Sequence, residues 1–177
     1  MDEKVSVWKA NLNNGVILGL LGIVFTLVMY FLDLNFSKVP GYIFLLAQIF
    51  ILFYMIKSYR DSFLHGYITY GQSLGAGVII FLYYSIITAL FTYILYKFID
   101  TGLTAKLLAF TEEQLVKKGL PQQAIDAGMA MQKKIMIPEI MAPLGIFGTM
   151  LWGTIISLIV SIFTRKEGNP LIDAPLN

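Results

Sequence analysis

Cysteine is absent from this sequence, and charged residues are scarce. The lack of cysteine excludes disulfide bonds, thiolate metal sites and thiol catalysis. Asp, Glu, Lys and Arg make up 14% of the 177 residues, whereas ordinary soluble domains have about a quarter. Hydrophobic residues make up 57%. A water-facing surface cannot be built from so few charges, so the composition indicates a protein that resides in lipid.

Four stretches of the chain contain no Asp, Glu, Lys, Arg or His. They cover residues 14–32, 39–56, 71–96 and 140–164. A hydrocarbon core about 30 Å thick is crossed by roughly 20 apolar residues of α-helix. The pattern therefore predicts an all-α polytopic membrane protein with four transmembrane helices, in which residues 1–177 form a single domain. The first stretch is longer than the apolar region of a signal peptide, about 7–15 residues, and we interpret it as an uncleaved helix.

The same stretches lack the ionisable groups that membrane chemistry uses. A charge at the bilayer centre costs at least about 2.5–3.5 kcal/mol, and such groups mark proton relays, ion paths or catalytic sites. His65 is the only histidine, and no carboxylates surround it at metal-ligand spacing. The net charge of +2 is too small to indicate nucleic acid as a partner. We therefore predict no enzymatic activity, no catalytic residues, no metal and no cofactor.

The connection between the third and fourth stretches is predicted to form a helical hairpin over residues 111–137. Thr111 begins a capping-box pattern for the first helix, and Gly119 is typical of a residue just beyond its end. Pro121 favours the first position of the second helix, which Pro138 is expected to end. Apolar residues recur along this second helix at helical spacing: Ile125, Met129, Met131 and Ile135. They either pack on the protein's own bundle as a lid or dock a partner.

Small residues recur every fourth position in the last stretch. They are Gly145, Thr149, Gly153, Ser157 and Ser161, and Gly15 and Gly19 form a shorter set in the first stretch. No hydrophobic effect drives helices together in lipid, so small residues that allow close backbone approach mark contact faces. The two sets predict helix-contact faces, either within one bundle or with another chain. Pro143 is expected to bend the last helix.

Polar side chains within the stretches are few. Gln48 lies near the middle of the second stretch, and Tyr84 and Thr88 lie in the third. A carboxamide at this depth favours a hydrogen bond between helices. The other interpretation is that these three residues line a polar path for a substrate.

Basic residues near the ends of the stretches suggest an orientation. Lys4 and Lys9 precede the first stretch and Lys57 and Arg60 follow the second, whereas Lys38 stands alone between them. By the positive-inside rule, both termini are predicted to be cytoplasmic and the hairpin periplasmic. Lysines of the long connection favour the opposite orientation.

Three segments resemble a known family. They are Trp8-Lys9 with Asn14-Gly15-Val16-Ile17-Leu18-Gly19, the loop His65-Gly66-Tyr67-Ile68-Thr69-Tyr70-Gly71-Gln72-Ser73-Leu74, and Gly119-Leu120-Pro121-Gln122-Gln123-Ala124-Ile125. With the order of the four stretches, the chain resembles the bacterial domain of unknown function 4199 family over nearly its whole length. Members are small four-span proteins common in Bacteroidota, which implies an inner-membrane location. The family has no established activity, so the resemblance implies no catalytic residues.

Contact surfaces are visible in this sequence, whereas catalytic chemistry is not. The preferred hypothesis is a non-enzymatic accessory or scaffold subunit of an envelope complex. Its partners would be the lipid bilayer and other membrane proteins or a second copy of this chain. The alternative is a small carrier or lipid-handling protein with a polar path near Gln48.

Overall fold

The chain folds into helices only, in a computed structural model that describes residues 6–167. In chain order the helices are α1 (Val7–Phe31), α2 (Lys38–Phe63), α3 (Tyr70–Ile94), α4 (Leu103–Lys117), α5 (Gln122–Ile135) and α6 (Pro138–Thr164). A π-helical turn, Leu95–Ile99, extends α3. Helices α1, α2, α3 with its π turn, and α6 are long and apolar enough to cross a membrane. The predicted fold class, an all-α protein with four spans and a hairpin between the last two, is confirmed.

The spanning helices extend beyond the uncharged stretches that predicted them. Helix α2 continues past Lys57 and Arg60 to Phe63, and its 26 residues measure about 39 Å. Because the hydrocarbon core is about 30 Å thick, the ends of this helix reach the polar interface, where long basic side chains extend towards water. Lys4, one of the basic residues that suggested the orientation, lies outside the described residues.

The predicted start of the hairpin is wrong. Helix α4 begins at Leu103, eight residues before Thr111, and the Thr111 hydroxyl donates to the Leu107 carbonyl at 2.8 Å. A threonine inside a helix commonly bonds back to the carbonyl four residues earlier, so the capping pattern is not used here. Leu103 is buried and fixes the first turn instead. A capping box does form at Thr69 and Gln72, where α3 begins.

The two prolines of the hairpin also act differently from the prediction. Pro121 is the N-cap of α5 rather than its first residue, and α5 ends at Ile135, before Pro138. Pro138 is instead the first residue of α6, a position where a proline loses no helical hydrogen bond. The predicted end of the first hairpin helix is confirmed, because Gly119 adopts the left-handed conformation (φ 70°) just beyond α4.

Helix α3 lies at the centre of the bundle and packs most extensively on α6 and α1. Helix α2 packs against the layer formed by α1, α3 and α6 and contacts different helices along its length. Its second half is buried at Leu52, Ile56 and Tyr59, whereas its first half contacts α1 through stacked rings of Phe44 and Phe25 4.2 Å apart. The outward faces of the spanning helices are apolar and exposed, as expected of helices that face lipid.

Different contacts hold the two ends of the bundle. At the end that carries the α2–α3 loop, termed the loop end, Ile68 and Lys166 form a two-way backbone bridge at 2.9 Å. At the opposite, hairpin end, the Tyr30 hydroxyl donates to Asp100 at 3.3 Å, and Lys97 pairs with Glu139 at 2.5 Å. The loop end therefore ties the α2–α3 loop to the segment after α6, and the hairpin end ties the end of α3 to α1 and α6.

Candidate functional site

The loop-end half of the small-residue stripe on α6 packs against α3. A Cβ atom at Gly153 would collide with the Phe81 ring, and one at Gly77 would collide with Ser157. The Ser157 hydroxyl donates to the Gly153 carbonyl at 2.6 Å. Ser161 is fully buried. Among residues 6–167, its hydroxyl is the one buried polar side-chain atom that has no hydrogen-bond partner. Small residues here let two helix backbones approach closely.

The glycines of α1 pack against the other side of α3. Added Cβ atoms would collide with Tyr83 at Gly15 and with Ile87 at Gly19. The predicted faces on α1 and α6 therefore do not meet one another. Both rest on α3, whose large side chains fill the space that the glycines leave.

The hairpin-end half of the α6 stripe is open. A Cβ atom at Gly145 would have nothing within 4 Å, and the same holds for Gly148. Thr149 is half-buried and borders a cavity. At Gly145 and Gly148 this half of the stripe therefore has open space beside it, and the first half of α2 packs on α1 through Phe44 and Phe25.

The open half of α6 forms one wall of a cleft of about 390 Å³ between α2, α3 and α6. The residues that line it are Leu45, Gln48, Phe81, Tyr84, Gly145, Gly148, Thr149, Trp152 and Ile156. Gln48 is only 7% exposed, and it lines the cleft together with Tyr84. Trp152 is 62% exposed and lies at the rim. The cleft is apolar apart from Gln48, the half-buried Tyr84 and Thr149.

Thr88, the third residue of the predicted polar path, lies in a different cavity. A smaller cavity of about 90 Å³ is bordered by Thr88 and, like the cleft, by Gly145 and Thr149. The Thr88 hydroxyl donates to the Tyr84 carbonyl of its own helix at 2.8 Å. The structure thus places Gln48 and Tyr84 together and Thr88 beside them, in two neighbouring cavities that share part of one wall.

Some apolar residues of the predicted docking stripe on α5 are buried, and others are exposed. Ile125 and Met129 are buried, Ile135 is half-buried, and Met131 is 66% exposed. Gly128 approaches Leu115 of α4, so the two hairpin helices close on each other. Most of the predicted docking stripe is therefore used within the protein.

Sequence reasoning did not predict the buried polar residues of the loop end. Asn11 is fully buried and donates to the Val7 carbonyl at 3.0 Å. Ser73 and Thr164 share a hydrogen bond of 2.6 Å between α3 and α6. In the sequence these residues lie near the ends of the predicted spans. Polar residues are common there, so their position did not identify them as buried.

A larger cavity of about 660 Å³ lies at the loop end. His65 borders it and adopts a left-handed backbone (φ 53°) just beyond α2. Lys166 stacks over the Tyr67 ring at 5.4 Å from its centroid. Residues 6–167 contain no group of three or more His, Asp or Glu side chains that could hold a metal ion.

The fold and the cleft define a small multi-pass α-helical membrane protein with a side opening between its spans. The family model described as Protein of unknown function (DUF4199) matches residues 13–166. The chain belongs to this family, and the resemblance inferred from its sequence is confirmed. Comparison with curated proteins and with solved structures gives no match.

Proposed function

We propose that this protein is a non-enzymatic accessory subunit that binds another membrane protein through its hairpin, the unit formed by α4 and α5. The observation that carries the proposal is the exposure of apolar side chains outside the four spans. Met131 is 66% exposed and Val116 57%, and Leu120 at the turn is exposed as well. Away from the hydrocarbon region, such side chains favour contact with a partner.

The attachment of the hairpin to the bundle supports this proposal. Phe110 of α4 stacks on Phe36 of the α1–α2 loop, with ring centroids 5.0 Å apart. Asp100 accepts from Tyr30 and also from the Gly102 amide at 3.0 Å. A surface held in one position loses less conformational entropy on binding than a flexible one, which favours recognition.

Cross-linking in intact membranes tests this role. A photoreactive amino acid at Leu120 should form an adduct with a second protein, and the double variant Val116→Ser, Met131→Ser should lose that adduct. The matched controls are the same photoreactive residue at Leu151, which faces outward from α6, and the substitution Gln123→Ser on the exposed surface of α5. No adduct at Leu120, or an adduct that persists in the double variant, would contradict the proposal.

The proposal includes an orientation in a bacterial inner membrane, with both termini cytoplasmic and the hairpin periplasmic. The basic residues Lys57 and Arg60 at the loop end support it. Since the chain has no cysteine, single-cysteine variants report orientation without background. A membrane-impermeant thiol reagent added to intact cells should label Lys117→Cys and leave Lys57→Cys unlabelled. The reverse pattern would overturn the orientation.

A second candidate function, a lipid-handling protein, is favoured by the cleft around Gln48. Its volume of about 390 Å³ lies within the range of small-molecule pockets, about 300–1,000 Å³. A Cβ atom at Gly148 has nothing within 4 Å, so we expect a leucine there to be accommodated and to occupy part of the cleft. Lipids that copurify with the protein should be lost in Gly148→Leu and retained in Gly75→Leu, a glycine equally free of neighbours on α3. Identical lipid content in the two variants would exclude this candidate.

A further inference from the structure

The pair formed by Gln48 and Tyr84 is a polar feature within an apolar cleft. A carboxamide offers two donor hydrogens and two acceptor lone pairs, and a phenol offers one donor and an acceptor. Both side chains line the cleft, and one hydrogen bond between them would use only part of this capacity. In hydrocarbon no water supplies the rest, and unsatisfied polar groups cost several kcal/mol. The pair is therefore suited to a ligand that brings a hydrogen-bonding atom into the membrane.

The depth of the pair restricts the ligand. Gln48 lies ten residues beyond Lys38, the first residue of α2, which is about 15 Å along the helix axis. That is about the middle of a hydrocarbon core about 30 Å thick. No side chain that lines the cleft is charged, and a charge at this depth is costly. The ligand is therefore uncharged, and its polar atom lies deeper than the headgroups of bilayer lipids.

The walls of the cleft restrict the shape of the ligand. Tyr84 of α3 borders the cleft, and its ring packs edge-to-face on the buried ring of Phe81, with centroids 5.7 Å apart. Trp152 of α6 lines the same cleft. Aromatic side chains bind flat rings by offset stacking and by edge contacts. Gly145 and Gly148 line the same cleft and have open space at their Cβ positions, which leaves room for a flat molecule.

We infer that the cleft binds an uncharged, flat lipophile with a carbonyl oxygen, of the isoprenoid quinone class. Gln48 and Tyr84 donate hydrogen bonds to the carbonyl oxygen, and the aromatic side chains contact the ring. The apolar tail leaves through the side opening into the bilayer. This inference rests on the lipid-handling candidate and names the chemical class of its ligand.

Fluorescence quenching of Trp152 tests the inference. The chain contains two tryptophans, so Trp8→Phe leaves Trp152 as the single reporter beside the cleft. The full-length protein in lipid nanodiscs is titrated with a short-chain prenylated naphthoquinone, a quencher. The competitor is a naphthalene with the same tail and no oxygen atoms. A protein with Trp152→Phe, which reports from Trp8, measures quenching by quinone dissolved in the bilayer.

The expected result is saturable quenching of Trp152 and non-saturable quenching of Trp8. Affinity should fall at least tenfold in Gln48→Leu and in Tyr84→Phe, each of which removes hydrogen-bonding groups and keeps the apolar bulk. The naphthalene should compete at least tenfold less well than the quinone. Gly148→Leu should abolish the saturable phase, while Gly75→Leu should retain it. Circular dichroism and gel filtration identify any variant that does not fold. If Gln48→Leu does not fold, the affinity of Tyr84→Phe tests the role of the polar groups.

Two results would overturn the inference in different ways. If the naphthalene competes as well as the quinone and neither polar substitution changes affinity, the carbonyl class is wrong, and lipid handling in the cleft stands. If quenching of the wild-type cleft grows without saturation, the lipid-handling candidate and the ligand class both fail.

Discussion

The two halves of α6 carry the same every-fourth spacing of small residues and have opposite surroundings. In the loop-end half, Gly153 and Ser157 lie against α3 with no room for a larger side chain. In the hairpin-end half, Gly145 and Gly148 border open space. The packed half lies against Phe81 of α3, and Ile56 of α2 also approaches Gly77 there, whereas the first half of α2 packs on α1 through Phe44 and Phe25. A small-residue stripe thus indicates where helices can approach, and contacts with the other helices determine where a cleft stays open.

The largest expected loss of stability comes from a substitution in the packed half of α6. Gly153→Leu places a side chain where Phe81 already lies, so we expect a loss of stability at or above the upper end of the range for overpacked sites, about 1–3 kcal/mol. Reversible unfolding in mixed micelles measures it. The same leucine at Gly145 is the control, and equal losses at the two positions would remove the distinction between the halves.

The hydrogen bond between Ser73 and Thr164 tests how much polar contact adds to the packed half. Both hydroxyls are buried and 2.6 Å apart. Ser73→Ala should lower the unfolding free energy by about 0.6 kcal/mol, the average for hydrogen bonds between membrane helices, and by at most about 1.7 kcal/mol. Ser58→Ala, on the exposed face of α2, should change it little. An effect no larger than that of the control would show that packing alone holds this end.

A substitution at Ser161 is expected to stabilise the protein rather than destabilise it. Its hydroxyl is buried without a partner, and such a group costs about 1–3 kcal/mol of desolvation. After allowance for the lost packing, Ser161→Ala should raise the unfolding free energy by about 0.5–1 kcal/mol. Ser157→Ala, which removes a hydroxyl that is hydrogen-bonded, should not raise it. Destabilisation by Ser161→Ala would indicate a bond that forms in the bilayer.

The smallest effect is expected in the open half. A Cβ atom at Gly145 meets no atom within 4 Å, so Gly145→Leu should change the unfolding free energy by less than about 0.5 kcal/mol, as for a surface substitution. The measurement is the same micelle unfolding used for Gly153→Leu. A loss approaching that of Gly153→Leu would mean that α2 closes against α6 in the membrane and that the cleft is transient.

Charge distribution and helix length were enough to predict the fold class. Runs of 18 to 26 residues without charge leave the chain no other structure in lipid, because every backbone group must bond within its own helix. The exact helix ends were less predictable. At Thr111 the sequence satisfies a capping pattern, yet burial of Leu103 favours a helix that starts earlier.

The candidate site was only partly predictable. Gln48 and Tyr84 were identified from their polarity in apolar helices, which is a local property of the sequence. The cleft that both residues line also needs a wall from α6, and the position of α2 beside it involves contacts such as the stack of Phe44 on Phe25. Such contacts join residues far apart in the chain, and no pattern within one helix predicts them. For the same reason, Gly145 and Gly153 are alike in sequence and differ in the structure.

The π turn Leu95–Ile99 makes the hairpin sensitive to chain length. Its bond from the Asp100 amide to the Leu95 carbonyl, at 2.9 Å, spans five residues instead of four, so the turn holds one residue more than an α-helical turn. Deletion of one residue here would restore a regular helix and rotate the hairpin by about 100° relative to α3. Lys97 and Asp100, which tether α6 and α1, would then face away from their partners. Gain or loss of one codon in this segment is thus a route by which relatives could redirect the hairpin without altering the spans.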